Sequence, residues 1–356
     1  MTRLSDPRAW ARDVFRDALA GFHPAKPVLI LGHFDADGLS AMAVLARALE
    51  RAGRAAQLRV VGRGENPWSN AIRAELAGED VGGLIVTDLG VRECALKHGT
   101  PTVVIDHHVP TGTPGDAVVI SGHGLEPEPT SALLAYWCAG VLAPVNDLVW
   151  IAGLGLIGDM AEAAGFPEMT EAQAFGKTAL REAVSLLNAP RRAAAADAGP
   201  SLSLLLKANG PKEITSGVHP ETEQLRAAKA EVAAELDRVK RAAPKVRGEV
   251  ALIRFHSPCQ IHPLVAQQWR GRLKDKVVLA ANTGYRPGWV HFAARTGEPD
   301  RDLIAFLVER RPPGADENYG SGHKQATGGA LRLPDWNAFV QDLGFPEEII
   351  SERAAA

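Results

Sequence analysis

Three cysteines in 356 residues, none in a Cys-x-x-Cys pair, leave little room for a disulfide framework or a thiolate zinc site. Cys94, Cys138 and Cys259 sit in apolar or mixed surroundings and read as idle thiols of a reducing cytoplasm. No stretch approaches the roughly 20 apolar residues that span a bilayer, which excludes a transmembrane helix and any membrane partner it would imply. The first 22 residues mix charge with apolar positions (Arg8, Asp13, Arg16, Asp17), as an amphipathic helix does. They carry no continuous apolar signal core and too much acid for a transit peptide, so a cytoplasmic location is expected. Positive charge is not in excess either: 39 Lys and Arg face 42 Asp and Glu, a net charge of −3. A polyanion would have to be held by a local patch or by bound cations, not by the field of the whole molecule.

What is there is ordered strand–helix alternation. The chain is long for one core, so two domains are expected. Short β-rich runs stand at 28–31, 58–61, 84–87, 102–105 and 118–120, separated by helical stretches. One of these, Leu39 to Gly53, spaces Met42, Leu45, Ala46 and Leu49 as a helix face and stops at glycine. The pattern predicts an α/β fold with a doubly wound, mostly parallel sheet. Leu148–Met160 is apolar nearly all round and predicts a deeply buried helix or helix-turn carrying Asp159 at its end.

Residues 189–200 and the pairs Gly210-Pro211 and His219-Pro220 are rich in breakers, and a charged helix, Glu221 to Ala243, follows as a connector. Strands return at Val250–Phe255, Val277–Ala281 and Trp289–Ala294. Helices are expected at Pro263–Leu273 and Asp300–Arg310, and a glycine-rich loop at Gly320–Gly329. The expected organisation is a first domain over 1–190, a helical connector over 191–246 and a smaller α/β domain over 247–356.

Two stretches concentrate chemistry: Gly-His33-Phe-Asp35-Ala-Asp37-Gly38 and Asp106-His107-His108, each directly after an apolar strand. In α/β sheets the carboxyl ends of parallel strands are where ligands bind. If the first stretch is extended, His33, Asp35 and Asp37 face one side while Phe34 and Ala36 face the other, and Gly38 allows a tight turn. Carboxylate mixed with imidazole favours Mn2+ or Mg2+ over a thiolate zinc site. Asp88 ends another strand, and Asp159 ends the apolar helix. One aspartate at a strand end is usually a helix cap, and one histidine on an apolar flank is usually a satisfied core group. Four separate ends that all deliver Asp or His are the signal.

Those residues, His-x-Asp-x-Asp-Gly, the Asp88 of Val-Thr-Asp-Leu-Gly, Asp106-His107-His108 and Gly158-Asp159, resemble the four motifs of the DHH phosphoesterase superfamily. Gly320-Ser-Gly-His323-Lys324-Gln-Ala-Thr-Gly328-Gly329 resembles the glycine-rich motif of the associated DHHA1 substrate-binding domain. The short first motif is closer to the RecJ and archaeal GINS-associated nuclease branch than to cyclic-dinucleotide hydrolases, nano-RNases or family II pyrophosphatases.

The resemblance implies a DHH domain followed by a DHHA1 domain, with the site in the cleft between them. It assigns one metal to His33, Asp35 and Asp88 and a second to Asp37, Asp88, His107 and Asp159, with Asp88 bridging. Two cations about 3.5–4 Å apart need such a shared anion, and together they activate a water for in-line attack on phosphorus. His108 would then be a phosphate contact or proton donor, and Asp106 a carboxylate that orients an imidazole.

In the second domain, Gly322 and Gly328 would bring backbone N–H groups to a phosphate, His323 and Lys324 would add donors, and Arg295 would clamp a terminal phosphate. Trp68, Trp269, Tyr285 and Trp289 could stack bases or complete cores, with cores the commoner use. Arg238, Lys240, Arg241, Lys245 and Arg247 form either a solvated face at the end of the connector or a wall for a bound strand. The implied function is a two-metal, Mn2+-dependent exonuclease that takes mononucleotides from an end of single-stranded DNA or RNA, short oligonucleotides included. The alternatives are a phosphoesterase of small substrates (nano-RNase, bisphosphate-nucleotide phosphatase or cyclic-dinucleotide phosphodiesterase) and, from another class, a catalytically silent replication scaffold.

Overall fold

The computed structural model describes residues 6–315, 319–320 and 322–351. The chain divides into two compact units, Met1–Arg191 with Ala195–Ala227, and Arg192–Ala194 with Ala228–Ala356. The helix Glu221–Val239 contributes its first part to one unit and the remainder to the other, so it does not stand apart as a body of its own.

The first unit is built on a five-stranded sheet: β1 (Val28–His33), β2 (Ala56–Val61), β3 (Gly83–Thr87), β4 (Thr102–Asp106) and β5 (Ala117–Ser121). All pairings are parallel, in the order β2-β1-β3-β4-β5. This is the doubly wound sheet that the alternation predicts. Strand β1 alternates sides: Val28 and Ile30 join one apolar cluster, Leu29 and Leu31 the other. The helices α2 (Ala36–Arg51), α4 (Ser131–Ala139) and α5 (Val149–Gly158) cover the first face, and α3 (Asn70–Ala77) the second, while α1 (Pro7–Leu19) packs with α4.

Strand order reverses at β1: the chain runs from β1 out to β2 and returns to place β3 on the other side. In open α/β sheets the crevice at the carboxyl ends of such a pair is where ligands bind. Helix α5 is apolar on all sides because α2, α4 and the following helices enclose it, and it ends with Asp159 at its C-cap.

The second unit holds a six-stranded sheet of β6 (Lys245–Arg247), β7 (Val250–Phe255), β8 (Val277–Arg286), β9 (Trp289–Thr296), β10 (Gly322–His323) and β11 (Ala326–Arg332), in the order β10-β11-β9-β8-β7-β6. Only β7 and β8 run parallel. The helix His262–Arg270 packs on β8 and β9 over one apolar cluster, and the helix Leu333–Asp342 contributes Trp336, Phe339 and Val340 to a separate one. The glycine-rich stretch expected as a loop is for the most part the β10–β11 hairpin. Small residues let β11 lie close on β9: a Cβ at Gly328 would collide with the Phe292 carbonyl oxygen.

Candidate metal centre

The six proposed ligands converge at the β1–β3 reversal, but not by the route that strand alternation suggests. Strand β1 stops at His33. Asp35 is extended (φ −106°, ψ −175°) and caps α2, its Oδ1 accepting from the Gly38 N–H at 3.1 Å. Asp37 therefore sits in the first helical turn, and the side chains meet through a strand end, a cap and a helix turn rather than through a continued pleat. Nor does Gly38 supply a left-handed turn. A Cβ there would stand 2.6 Å from the His33 carbonyl oxygen, so the glycine is needed for close approach of α2 to the end of β1.

Asp37 is fully buried and accepts from two backbone N–H groups at the start of α4, Ser131 at 2.8 Å and Ala132 at 3.0 Å. A helix N-terminus favours an anion in this position. Asp88 adopts φ +60°, a left-handed conformation that costs a non-glycine residue energy and is found where a site over-determines it. Its amide donates to the Ile105 carbonyl at 3.2 Å, and its Oδ1 accepts from Ser131 Oγ at 3.0 Å. Asp106, at the end of β4, is also buried; it accepts from the amides of Gly90 and His108, both at 2.7 Å, and lies 3.2 Å from His108 Nδ1.

Two ligand groups form around Asp88, and a third, overlapping set of Asp88, His107 and His108 lies beside the second. His33 Nδ1 lies 3.2 Å from Asp35 Oδ2 and 3.5 Å from Asp88 Oδ2. His107 Nε2 lies 3.1 Å from Asp159 Oδ2, 3.6 Å from Asp88 Oδ1 and 3.9 Å from Asp37 Oδ2. Asp88 thus turns one carboxylate oxygen towards each group. His107 Nε2 is buried among three carboxylates without a well-directed hydrogen bond to any of them, the arrangement left by ligands that point at a common cation. The hard and borderline donor set fits divalent Mn2+ or Mg2+.

Electrostatics say the same. Burial opposes a charge on His33, but Asp35 and then Asp88 outweigh it and push its pKa up to about 10. For His107, burial is likewise overcome by Asp159 and Asp88, and the pKa rises to about 11. Burial together with the neighbouring Asp88 and Asp159 carboxylates holds Asp37 well above the usual range. Burial would also raise Asp35, yet His33 and Arg191 hold it well below. The hydrogen bond to Asp106 raises His108.

Three contributors carry no signal in the sequence motifs. Arg191 Nη1 donates to Asp35 Oδ2 at 2.9 Å, and its guanidinium stands 5.9 Å from the Phe34 ring centre. Asn188 Oδ1 accepts from the Ala36 amide at 3.0 Å and pins the start of α2. Ser131 braces Asp88; the Pro-Thr-Ser that begins α4 is a readable helix start, but nothing in it names its partner.

Apart from His108, the proposed phosphate contacts lie in the second unit. Arg295 is half-buried in β9, donating to the carbonyls of Ala294 at 2.8 Å and Thr327 at 3.0 Å, and burial and then Arg270 lower its pKa. It pairs with Ala326 of β11, which places it beside the hairpin that carries Gly322, His323 and Gly328. His323 and Lys324 are exposed, and Lys324 Nζ is 3.7 Å from Asp302. Ser321 of the same motif lies outside the described residues.

Trp68 is buried and donates to the Leu89 carbonyl at 2.9 Å, and Tyr285 is buried, so both complete cores. Four of the five basic residues near the connector's end are paired with acids, Arg238 with Glu235, Lys240 with Asp237, Lys245 with Glu348 and Arg247 with Glu347, which leaves little free charge for a strand.

Residues 27–158 match the model of the DHH family, N-terminal domain. Among solved structures, the chain resembles exonuclease RecJ bound to manganese with a TM-score of 0.67 at 19% identity, over 96% of this chain and 95% of that one. RecJ from Thermus thermophilus in complex with Mn2+ aligns with a TM-score of 0.70 at 19% identity, over 98% of this chain and 56% of that longer one. The pGpG-specific phosphodiesterase PggH from Vibrio cholerae aligns with a TM-score of 0.50 at 15% identity, over 93% of this chain and all of that one (100%). No curated protein matches the sequence significantly. At these identities the structural likeness establishes the fold.

Proposed function

We propose that this chain, which belongs to the DHH superfamily and has a RecJ-like fold, is a metal-dependent phosphodiesterase that hydrolyses single-stranded nucleic acid from an end. The observation that carries the reading is Asp88, one oxygen towards His33 and the other towards His107, between two sets of ligands. His33, Asp35 and Asp88 would hold one divalent ion; Asp37, His107 and Asp159, with Asp88, would hold the second. Bound there, Mn2+ or Mg2+ lowers the pKa of a water and neutralises charge on phosphoryl oxygens.

The protein's own groups do the rest. Asp106 engages His108 at Nδ1 and favours its charged form, leaving Nε2–H to donate to a phosphate oxygen or to the departing oxygen. Ser131 and the start of α4 keep Asp88 and Asp37 aimed at the ions. In the second unit, Arg295, His323 and Lys324, with the backbone around Gly322 and Gly328, are the proposed phosphate contacts. No helix among the described residues is long and apolar enough to cross a membrane, in keeping with a polar substrate met in solution.

A second reading, a phosphoesterase of very short substrates, draws support from the fold shared with PggH over the whole of that chain. Turnover of end-labelled 5-mer and 30-mer strands, as DNA and as RNA, and of a cyclic dinucleotide with Mn2+ separates the two. Mononucleotide release from both strands is expected; cleavage confined to the smallest substrates would replace the first reading by the second.

A further inference from the structure

The tip of the β8–β9 hairpin presents a cationic arrangement that the proposed site does not use. The turn Arg286-Pro287-Gly288-Trp289 has proline at its second position and Gly288 at φ +75°, the residue pattern of a tight type II turn, and it sets Arg286 directly opposite Trp289. On the other side of β9, Trp289 pairs with Arg332 at the end of β11. Three adjacent strands therefore carry Arg286, Trp289 and Arg332 in one row. The Arg286 guanidinium carbon lies 4.7 Å from the Trp289 ring centre and that of Arg332 lies 4.9 Å away, both within cation–π range.

Both arginines are exposed, and neither has an acidic partner among the described residues. That sets them apart from the connector arginines Arg238 and Arg247, which are neutralised by Glu235 and Glu347. A guanidinium held over an indole still has N–H groups to offer and has lost rotamer freedom before any ligand arrives. A planar fork of this kind matches phosphate, and its π surface accepts a base.

We propose that Arg286, Trp289 and Arg332 form an outlying binding site for single-stranded nucleic acid, engaging phosphates of the strand several nucleotides from the end that is cleaved. This rests on the function proposed above. Trp289 and Arg295 are six residues apart on β9, roughly 20 Å at the rise of a β-strand, a separation that corresponds to several nucleotides. A mononucleotide or dinucleotide would not reach.

The test is fluorescence anisotropy of labelled 5-mer and 30-mer single strands against the full-length protein and its R286Q/R332Q variant, in EDTA and over a range of salt. The variant is expected to bind the 30-mer about tenfold or more weakly, with a penalty that grows with strand length. The slope of log K against log salt should fall by about 1.4, the loss of two phosphate contacts on a single strand. R286K/R332K, which keeps charge but not the planar fork, should recover the slope and only part of the affinity.

Unchanged 30-mer affinity and slope in a variant that melts like the wild type would overturn the site while leaving the nuclease reading intact. An equal loss for 5-mer and 30-mer would overturn its outlying position. A wild-type protein that neither binds nor cleaves any single strand would overturn both. If the variant instead loses binding only to anionic lipid vesicles, the nucleic-acid assignment is wrong.

Discussion

Arg191 and Asp35 meet at 2.9 Å at the edge of the candidate metal centre, and Asp35 Oδ2, the oxygen involved, also lies 3.2 Å from His33 Nδ1. One carboxylate oxygen is thus shared by a guanidinium that always stays charged and an imidazole that must lose its proton to bind a metal. Both side chains of the Arg191–Asp35 pair are mostly buried, so removing one leaves the other poorly solvated. Arg191→Ala is expected to lower stability by about 1.5–3 kcal/mol in EDTA, the range for a hydrogen bond to a charged group, and by clearly less with Mn2+ present, because the ion then neutralises Asp35. Thermal melts with and without metal check this; an equal loss in both conditions would show that Arg191 does not share the carboxylate with the ion.

Asp88 is strained, at φ +60°, and is crowded by the carboxylates of Asp35 and Asp37. Glycine tolerates that backbone and removes the charge. Asp88→Gly is expected to lose both bound Mn2+ ions and at least roughly a thousandfold of kcat/KM. In EDTA the relief of a backbone cost of about 1 kcal/mol is offset by the lost pairing with His107 and His33 and the lost Ser131 hydrogen bond, so that no rise in melting temperature results. Calorimetric titration with Mn2+ gives the stoichiometry, and retention of two ions would refute the bridging role.

The raised pKa values of His33 and His107, about 10 and about 11, mean that the metal-free protein carries both protons at neutral pH. A cation must displace them, so Mn2+ binding is expected to release up to about two protons per protein near pH 7.5, and apparent affinity should climb as pH rises. Titration in buffers of different ionisation enthalpy counts the protons. Without metal the sign reverses: the favourable pairing of these charged histidines is fully present below about pH 6.5 and fades as pH rises through about 10.

In the second unit, His262 is buried beside Tyr285, with ring centres 5.6 Å apart, and its Nδ1 has no hydrogen-bond partner. Burial, then the nearby His291 and Arg295, push its pKa down to about 3. A depressed pKa favours the neutral form in the fold, so this contribution is present above about pH 6.5 and is lost as pH falls towards about 3. His262→Gln should flatten the acid limb of stability between those limits, measured by urea unfolding at stepped pH.

Much of this architecture was legible in the sequence, because the information was local. Alternating apolar runs and helix-spaced residues mark β1 to β5 and α2 without reference to anything distant. The residues that converge at the β1–β3 reversal were legible too, since each sits within a residue or two of a strand or helix end. Their geometry was not. Reading Gly32–Gly38 as one extended segment missed that Asp35 is a better helix cap than a strand residue, so Asp37 arrives on a helix. Arg191 and Asn188 were invisible because they reach Asp35 and Ala36 from 156 and 152 residues further along the chain, in a stretch whose composition signals only a break. At Gly328 the motif suggests a phosphate contact, and the closeness of β11 to β9, which no sequence pattern announces, requires a glycine there as well.

Asp159 closes the ligand set, and among the six it comes last in the chain, behind every strand of the first sheet and the enclosed helix α5. A chain still emerging from the ribosome can present His33, Asp35 and Asp88 long before it can offer the second group. If the six residues hold a pair of ions as proposed, high-affinity capture of both would require that the sheet and α5 have been made and packed.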